Sequence, residues 1–339
     1  MKPLPAGKLP GHLLRALLED IDPGTDVIVG PGIGRDAAAV RLGDQILVLK
    51  TDPITFPTDD AGWYLVNINA NDIACMGAEP RWLLVTALLP ENQTTPELVT
   101  FLFKSLRDAC SKIGCSLIGG HTEITEGLDH PILVGQMIGT ATESSLIDPS
   151  TARTGDAVLL VGGIAVEGTA ILAAEITDQD AGEIEPAVLG KAKNFARKPG
   201  ISVVPYARKL HEQGNLDIRA MHDPTEGGLA TGLQEIAESA GLGIEINRDA
   251  VHIYPETRAI AGHFGIDPWG LIASGALLCV LPQENVASAI RLLEDIDAPV
   301  SVIGYLTEDP DERTLIIDGT RERIPEFAVD EIARYFAGG

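Results

Sequence analysis

A helix that carries a carboxylate on its apolar face constrains the fold of this chain more than any other segment. Residues 61–76 are followed by Gly77, a typical helix stop. At 100° per residue, Asn69 and Asp72 share a face about 100° wide with apolar residues, which are Leu65, Ile68 and Met76. A buried carboxylate is costly alone, so we expect Asp72 to meet a metal ion, a basic group or a ring of N–H donors. The alternative is that this end of the stripe emerges at the surface.

The length of the chain predicts two domains. With 339 residues, it exceeds the size at which one hydrophobic core keeps growing. Residues 142–156 are polar and contain proline and glycine, and we interpret them as the crossover between domains at 1–145 and 150–339. In the first half, the predicted strands and helices follow each other in mixed order.

Turn and capping signals place the elements of each half. In the first half we predict a helix at 13–18, a hairpin of strands at 37–42 and 45–51, a strand at 83–88, and a helix that Thr95 caps and Gly114 ends. In the second half we predict strands at 157–161, 277–281, 300–305 and 314–318, and helices at 166–176, 203–213, 229–240, 285–295 and 326–336.

The charge of the chain excludes partners better than it names them. Its 49 acidic and 25 basic residues give a formal net charge of −24, which repels nucleic acid and anionic membranes. The first residues show no leader pattern, and no apolar run reaches the roughly 18 residues of a membrane helix. We therefore expect a cytoplasmic protein that binds neither nucleic acid nor membrane.

The cysteines favour a structural role. The chain has four, and none of them forms a C-x-x-C pair. We interpret Cys75, Cys110, Cys115 and Cys279 as buried thiols, with a metal or redox site as the alternative.

A second candidate site is the polar pentapeptide Gly119-Gly120-His121-Thr122-Glu123. We predict strands at 115–118 and 131–140, which would place it on a tight loop at a strand end, where ligand chemistry is common. The glycines would bring backbone N–H groups close to an anion, and His121 could donate to a phosphate oxygen in either tautomer. The alternative is an ordinary turn with solvated side chains.

Three further aspartates lie where the backbone ends or turns. Asp36 follows a glycine-rich stretch, Asp52 ends a predicted strand, and Asp223 precedes a predicted helix. Each alone could be a cap or turn residue. Together with Asp72 they supply the ligand type that Mg²⁺ prefers, and the helix that follows Gly227-Gly228 would add N–H donors for an anion.

The familiar nucleotide signatures are missing. The chain has no G-x-x-x-x-G-K-[ST] loop, and Gly30-Pro31-Gly32-Ile33-Gly34 does not complete G-x-G-x-x-G. A bound nucleotide would therefore be held by glycine loops and carboxylate-bound metal. Lys8 and Lys50 are candidates to neutralise phosphate, although each alone could be a solvated lysine.

Five motifs occur in the order seen in a known family. They are Gly32-Ile33-Gly34-Arg35-Asp36-Ala37-Ala38, Lys50-Thr51-Asp52, Asn71-Asp72-Ile73-Ala74-Cys75-Met76-Gly77-Ala78-Glu79-Pro80, Gly119-Gly120-His121-Thr122 and Asp223-Pro224-Thr225-Glu226-Gly227-Gly228-Leu229. The chain resembles the aminoimidazole ribonucleotide (AIR) synthase superfamily, which includes thiamine-monophosphate kinase, selenophosphate synthetase and the hydrogenase maturation protein HypE. The last motif and residues 273–278 are most similar to the HypE branch.

The resemblance implies a two-domain AIR synthase-like fold. The N-terminal sheet would pair with that of a second subunit into a barrel, giving a homodimer, and the C-terminal domain would be α+β. It implies ATP and Mg²⁺ as cofactors, and phosphorylation of a carbonyl-type or other acceptor in hydrogenase or metallocofactor maturation, with a maturation partner protein. The implied metal ligands are Asp36, Asp52, Asp72 and Asp223. The expected nucleotide contacts are Lys8, Lys50, Asn69, Asn71, Gly119, Gly120, Thr122 and Thr225, and the catalytic candidates are His121 and Glu123.

Two departures from the family patterns leave the acceptor open. HypE proteins end in a Pro-Arg-x-Cys tail whose cysteine carries the carbamoyl group, whereas the last cysteine here is Cys279. Thiamine-monophosphate kinases have Asp-Asp where this chain has Arg35-Asp36, and Gly-Gly-Asp-Thr where it has Gly119-Gly120-His121-Thr122. We therefore expect a HypE-like enzyme with an unnamed acceptor. The alternatives are a non-catalytic nucleotide-binding partner in cofactor assembly and a small-molecule kinase of the thiamine-monophosphate kinase type.

Overall fold

The chain forms two compact units in a computed structural model, which describes residues 4, 9–32, 35–56, 60–177, 184–211 and 216–337. The smaller unit comprises Asp22–Pro31 and Arg35–Leu146, and the larger unit comprises Met1–Ile21, Gly32–Gly34 and Ile147–Gly339. A short helix, α1 (Gly11–Leu18), belongs to the larger unit. The side chain of its Arg15 pairs with Glu238 of the same unit.

The smaller unit is built on a six-stranded sheet. Its strands are β1 (Val27–Val29), β2 (Ala38–Leu42), β3 (Gln45–Ile54), β4 (Glu79–Pro90), β5 (Ser116–Thr125) and β6 (Ile132–Ala141), and their spatial order is β1-β2-β3-β6-β4-β5. The neighbours β4 and β5 are parallel, and the other neighbours are antiparallel. The predicted hairpin of β2 and β3 is confirmed, since Leu42 lies opposite Gln45.

Two helices of the smaller unit, α2 (Ala61–Cys75) and α3 (Pro96–Ile113), pack against each other. The predicted bounds of α3 are confirmed. The hydroxyl of Thr95 accepts a hydrogen bond from the N–H of Leu98 at 3.2 Å, and Gly114 ends the helix in the left-handed conformation, which glycine tolerates.

Helix α2 is more deeply buried than its sequence pattern predicts. All fifteen of its residues are buried, and it lies against β3, β4, β6 and α3. The prediction of one buried stripe was therefore too narrow. The physical reason is close packing: a Cβ at Gly62 would lie 3.0 Å from the backbone nitrogen of Leu106 on α3, so a side chain at this position would push α3 away by a few tenths of an ångström.

The polar pentapeptide is a strand rather than the predicted loop. Strand β5 continues through it, with Gly120 opposite Val85 and His121 opposite Thr86 on β4. Gly119 and Gly120 adopt φ values of 152° and 145°, which side chains disfavour. A Cβ at Gly120 would also overlap the carbonyl of Val85. Gly120 therefore serves the close approach of β5 to β4, and the glycine pair does not form a turn.

The larger unit is built on a seven-stranded sheet. Its strands are β7 (Ala157–Val161), β8 (Ala220–His222), β9 (Gly243–Asn247), β10 (Leu277–Leu281), β11 (Val300–Thr307), β12 (Arg313–Ile317) and β13 (Thr320–Arg323), in the spatial order β13-β12-β9-β11-β7-β10-β8. Strands β9 and β12 are parallel, and the other neighbours are antiparallel. Every residue of β7 and β10 is buried, as in strands that are covered on both faces.

Helices and two apolar clusters complete the larger unit. The helices are α4 (Val166–Glu175), α5 (Pro186–Lys193), α6 (Val204–His211), α7 (Gly228–Ala240), α8 (Pro255–Phe264), α9 (Gln283–Leu293) and α10 (Glu331–Phe336). One cluster joins the sheet to α7, and the other joins α4, α5 and α8. No helix formed by the described residues is both long and apolar enough to cross a membrane.

Several elements of the larger unit differ from the sequence prediction. The helices α5 and α8 and the strands β8, β9 and β13 were not predicted. The last helix begins at Glu331 instead of residue 326, because the carboxylate of Asp330 accepts a hydrogen bond from the N–H of Ile332 at 2.7 Å and so caps the helix there.

Candidate functional site

Lys50 on β3 lies among the carboxylates that the sequence singled out. Its Nζ is 3.1 Å from Oδ2 of Asp72 on α2 and 3.4 Å from Oδ2 of Asp52 on its own strand. The Asp72 side chain is only 5% exposed, so the alternative that it emerges at the surface is wrong. Of the three partners expected for this carboxylate, a metal ion, a basic group or a ring of N–H donors, the structure shows a basic group.

Asn69 fixes the strand that carries Lys50 and Asp52 against α2. Its Oδ1 accepts the backbone N–H of Asp52 at 3.1 Å, and its Nδ2 donates to the Asp52 carbonyl at 3.3 Å. The same Nδ2 donates to the Leu65 carbonyl at 2.9 Å. A Cβ at Gly135 on the neighbouring strand would lie 2.6 Å from this amide. The amide therefore sets the distance between helix and sheet at this point.

The electrostatics of the cluster keep Lys50 protonated. Burial alone would lower the pKa of Lys50, but the charges of Asp72, Asp52 and Asp36, with the hydrogen bond that Lys50 donates to Asp72, outweigh burial and raise this pKa above its ordinary value. A permanent ammonium group suits the neutralisation of phosphate oxygens.

The same cluster fits a divalent cation. Three carboxylates, those of Asp36, Asp52 and Asp72, act on one ammonium group, so the four side chains carry more negative than positive charge when they are ionised. Such an excess in a partly buried cluster favours a further cation. Carboxylates with room for water and phosphate oxygens are the ligands of Mg²⁺.

His121 and Glu123 form a separate, exposed pair on β5. His121 Nε2 lies 3.1 Å from Glu123 Oε2, and the two side chains are 65% and 53% exposed. Strands β6 and β4 lie between β3 and β5, which amounts to a separation of roughly 14 Å within one chain at the usual strand spacing. The structure therefore groups Lys50, Asp52, Asp72 and Asn69, but does not bring His121 and Glu123 to them within one chain.

The other predicted site residues are distributed over both units. Asn71 is buried in α2, and Gly119, Gly120 and Thr122 lie on the exposed strand β5. Asp223 and Thr225 belong to the larger unit, where Asp223 is buried and Thr225 is partly buried at the entry to α7. Lys8 lies outside the described residues.

The N-terminus of α7 is occupied by a carboxylate of the same unit. The N–H of Gly227 donates to Oδ2 of Asp330 at 2.6 Å. Burial raises the pKa of Asp330 to about 6, against the opposing effect of its backbone hydrogen bonds. The sequence predicts that N–H groups at this helix end bind an external anion. The N–H of Gly227 instead already donates to the carboxylate of Asp330.

Glu167 is a buried ionisable residue that the sequence interpretation missed. It lies in α4 and is fully buried. Burial raises its pKa to about 8. The polar hydroxyl of Ser274 opposes this shift, while the negative charges of Asp330, Asp223 and Glu226 reinforce it. The signal in the sequence was a single carboxylate inside the apolar stretch 164–173.

The four cysteines are all buried and free of disulfides, as predicted. Burial raises the pKa of the Cys279 thiol to about 12, so this thiol is inert at neutral pH. Cys110 and Cys115 neighbour each other at the end of α3, and the hydrogen bond between them, with burial, raises the pKa of the Cys110 thiol.

Comparison with known proteins places this architecture in a family. The model for the N-terminal domain of AIR synthase related proteins matches residues 34–141, and the model for their C-terminal domain matches residues 153–317. The chain belongs to the AIR synthase related family, and the resemblance drawn from the five motifs is confirmed.

Individual relatives refine this placement. The chain is 28% identical over 295 residues to a hydrogenase expression/formation protein of Methanocaldococcus jannaschii, covering 83% of each protein. It is 29% identical over 286 residues to carbamoyl dehydratase HypE of Cupriavidus necator, covering 81% of this chain and 78% of that protein. Its fold matches the crystal structure of the hydrogenase maturation protein HypE in complex with ATP, with a TM-score of 0.71, 22% identity and coverage of 97% and 98% of the two chains.

Proposed function

We propose that this protein is an ATP- and Mg²⁺-dependent enzyme of the HypE type, which phosphorylates a carbonyl-type or other acceptor. The observation that carries the proposal is the partly buried Lys50 between Asp52 and Asp72, at distances of 3.4 and 3.1 Å. The support from comparison is that relatives are named carbamoyl dehydratases and that a HypE of the same fold binds ATP.

In this proposal each residue of the cluster has a separate task. Asp36, Asp52 and Asp72 would hold Mg²⁺, which supplies charge neutralisation on the phosphates when it is bound. Lys50 would contact a phosphate oxygen as a fixed positive charge. Asn69 positions Asp52 through two backbone hydrogen bonds. Preorganised charges of this kind favour phosphoryl transfer by orientation and electrostatic stabilisation.

The acceptor in this proposal is a separate molecule. In HypE proteins a cysteine carries the carbamoyl group, but the four cysteines of this sequence are buried. None of them offers an exposed thiol for that modification. We therefore expect the acceptor to be a carbonyl-type or other group on a small molecule or on a partner protein of hydrogenase or metallocofactor maturation.

The proposal includes a homodimer with a barrel formed by two sheets. Strand β5 ends the sheet of the smaller unit and is exposed along most of its length, with Ile118 and Ile124 54% and 61% exposed. An open strand edge with exposed apolar side chains favours pairing with another chain. The site residues of β5 would then lie at the subunit interface; they are Gly119, Gly120, His121, Thr122 and Glu123. We propose domains at residues 1–145 and 150–339. Roles in the site stay predictions for four further residues: Asp223, Thr225, Asn71 and Lys8.

A calorimetric titration with ATP tests the core of the proposal. We expect binding that requires Mg²⁺ and that is weakened at least tenfold, about 1.4 kcal/mol, in Lys50→Met. The exposed Lys104 on α3, paired with Asp108, gives the matched control Lys104→Met, which should bind like the parent. Equal ATP affinity of the parent and Lys50→Met would refute the site.

A turnover screen separates an enzyme from a non-catalytic nucleotide-binding protein. ADP release is measured with amides, carbamoylated peptides and phosphate monoesters as acceptors. The enzyme should release ADP faster with one acceptor class, and that acceleration should disappear in Lys50→Met. ATP binding without acceleration by any acceptor would favour the non-catalytic alternative.

A further inference from the structure

A cavity of about 700 Å³ opens in the larger unit, a size typical of small-molecule sites. One wall comes from the end of α5 and the residues after it, including Lys191, Phe195 and Lys198. The opposite wall comes from the start of α8, with Tyr254 and Glu256, and from the segment between α9 and β11, with Asp297. None of these residues belongs to the ATP site proposed above.

The aromatic residues of the cavity are tightly packed. The Tyr254 ring lies directly on the backbone of Gly163, where a Cβ would come within 2.5 Å of it. Phe195 contacts Tyr254 edge-to-face, with ring centroids 5.5 Å apart, and His252 contacts it from another side at 4.8 Å. Such a fixed aromatic surface favours stacking with a planar ring.

Backbone hydrogen bonds hold two segments of the wall in place. The N–H of Gly162 donates to the carbonyl of Pro299 at 2.8 Å, and the N–H of Ile164 donates to the carbonyl of His252 at 3.1 Å. Both anchors come from the turn that follows β7, a fully buried interior strand of the sheet. The cavity is thus part of the rigid sheet and its connections, which favours a preformed site.

The charges around the cavity differ from those of the protein as a whole. The chain has a net charge of −24, yet all four charged residues of the stretch 190–199 are basic: Lys191, Lys193, Arg197 and Lys198. Lys191 Nζ is engaged by Glu256 at 3.3 Å. The backbone N–H of Lys198 donates to the carbonyl of Asn194 at 2.8 Å. Its ammonium group forms no hydrogen bond or ion pair within the described part of the chain and is therefore available to an anion.

The acidic side of the cavity adds hydrogen-bond acceptors. Burial raises the pKa of Tyr254, and the charges of Asp297 and Glu256 raise it further, against a backbone hydrogen bond from Gly163. Both carboxylates thus act on the ring region of the cavity. A ligand would meet a cation at one end and acceptors for N–H or hydroxyl groups beside the ring.

We propose that this cavity binds a small compound in which a planar heteroaromatic ring carries a phosphate group. The ring would stack on Tyr254, which Phe195 supports edge-to-face. The phosphate would meet Lys198, and Asp297 and Glu256 would accept from ring or sugar donors. Lysine is a common phosphate ligand because it acts as a point charge. Nucleoside monophosphates and phosphorylated pyridine derivatives share this chemistry and differ in the ribose between ring and phosphate.

Calorimetry with four probes tests whether both parts of the ligand are needed. The probes are uridine 5′-monophosphate, pyridoxine 5′-phosphate, uridine and inorganic phosphate. We expect at least one of the two ring phosphates to bind at least tenfold more tightly than uridine and inorganic phosphate. Which ring phosphate binds identifies the source of the ligand. The absence of binding of both at about 1 mM, or equal binding of inorganic phosphate alone, would overturn the proposal.

Three substitutions locate the binding event. Lys198→Ala should weaken the ring phosphate at least tenfold, whereas Lys193→Ala, on the same basic stretch but not in the cavity wall, should change the affinity less than twofold. Lys50→Met should leave this affinity unchanged, which separates the cavity from the proposed ATP site even if that site proves wrong. Equal affinity of Lys198→Ala and the parent, or loss of binding in Lys50→Met, would assign the ligand elsewhere and refute the proposal.

Discussion

Lys50 lies among three carboxylates of the smaller unit, those of Asp36, Asp52 and Asp72, and does not balance their charge. Its ammonium group is 3.1 Å from Asp72 and 3.4 Å from Asp52, and the charge of Asp36 also acts on it. A pair of opposite charges that only stabilised the fold would need a single carboxylate. The surplus of negative charge around Lys50 is therefore a reason to expect a ligand that brings positive charge.

Asp72→Asn tests this surplus directly. Asparagine keeps the size of the side chain but removes the charge, and Lys50 still has Asp52 as a partner, so we expect a folded protein. The Mg-ATP affinity should fall at least tenfold, about 1.4 kcal/mol. Asp108→Asn, at a 59% exposed carboxylate on α3, is the control. Unchanged nucleotide affinity together with intact thermal stability would contradict the assignment.

His121→Ala tests the second group of site residues. The side chain is 65% exposed and contacts only Glu123 among the described polar groups, so the free energy of unfolding should change by less than about 0.5 kcal/mol. If the histidine touches the phosphates or the transferred group, ATP turnover should fall at least tenfold. His12→Ala, at an exposed position of α1, is the control. If His121→Ala turns over ATP at the rate of the parent, β5 is not part of the site.

Glu167→Gln should change how stability depends on pH. Burial raises the Glu167 pKa from 4.5 to about 8, so the folded protein holds a proton that the unfolded chain releases. This contribution is complete below about pH 4.5 and is lost as the pH rises to about 8. Glutamine resembles the protonated form and lacks that loss.

Thermal unfolding at pH 5 and pH 8.5 measures the effect. The melting temperature of the parent should drop more between the two pH values than that of Glu167→Gln, by roughly 4 °C. Glu143→Gln, at a 74% exposed position, should follow the parent. Parallel behaviour of the parent and Glu167→Gln would show that Glu167 is ionised in the folded protein at pH 5.

At the scale of elements, the pairing of β4 and β5 depends on one glycine. Both Gly119 and Gly120 have positive φ, but a Cβ meets nothing within 4 Å at Gly119 and overlaps the Val85 carbonyl at Gly120. The two alanine variants share the backbone strain and differ in this overlap.

Gly120→Ala should therefore destabilise the protein by at least about 2 kcal/mol more than Gly119→Ala. Urea unfolding of both variants and of the parent gives the comparison. An equal cost at the two positions would mean that β5 moves away from β4 without penalty and that its register is not fixed by Gly120.

At the scale of the whole molecule, the net charge opposes association of two copies, and the open edge at β5 favours it. A net charge of −24 repels a second copy, while the exposed β5 edge with its apolar side chains favours one. Added salt screens the repulsion and leaves the apolar contact. Association should therefore persist at high salt.

Light scattering at micromolar concentration tests the dimer. We expect a mass of about 72 kDa, twice the 35.8 kDa of the chain, in both low and high salt. Replacing Ile118 and Ile124 by lysine should give the monomer. Leu42→Lys, at a 64% exposed apolar position on β2, should stay dimeric. A parent protein of 35.8 kDa under these conditions would contradict the prediction.

The sequence by itself determined many elements and part of the site, because these features depend on residues that are close in the chain. Thr95 and Gly114 bound α3 because capping depends on adjacent residues, and a two-residue turn fixed the hairpin of β2 and β3. The position of Asp72 on an apolar face predicted its burial and its need for a partner. The ordered motifs predicted the family.

Only the tertiary structure decided which distant groups meet. That Lys50, and not another base, faces Asp72 follows from the packing of α2 on β3, in which Asn69 fixes the distance. The extended course of β5 through its glycines follows from pairing with β4, because a ladder of backbone hydrogen bonds outweighs the turn preference of two glycines. Tyr254 and Lys198 line one cavity through contacts between segments far apart in the chain, which no local pattern encodes.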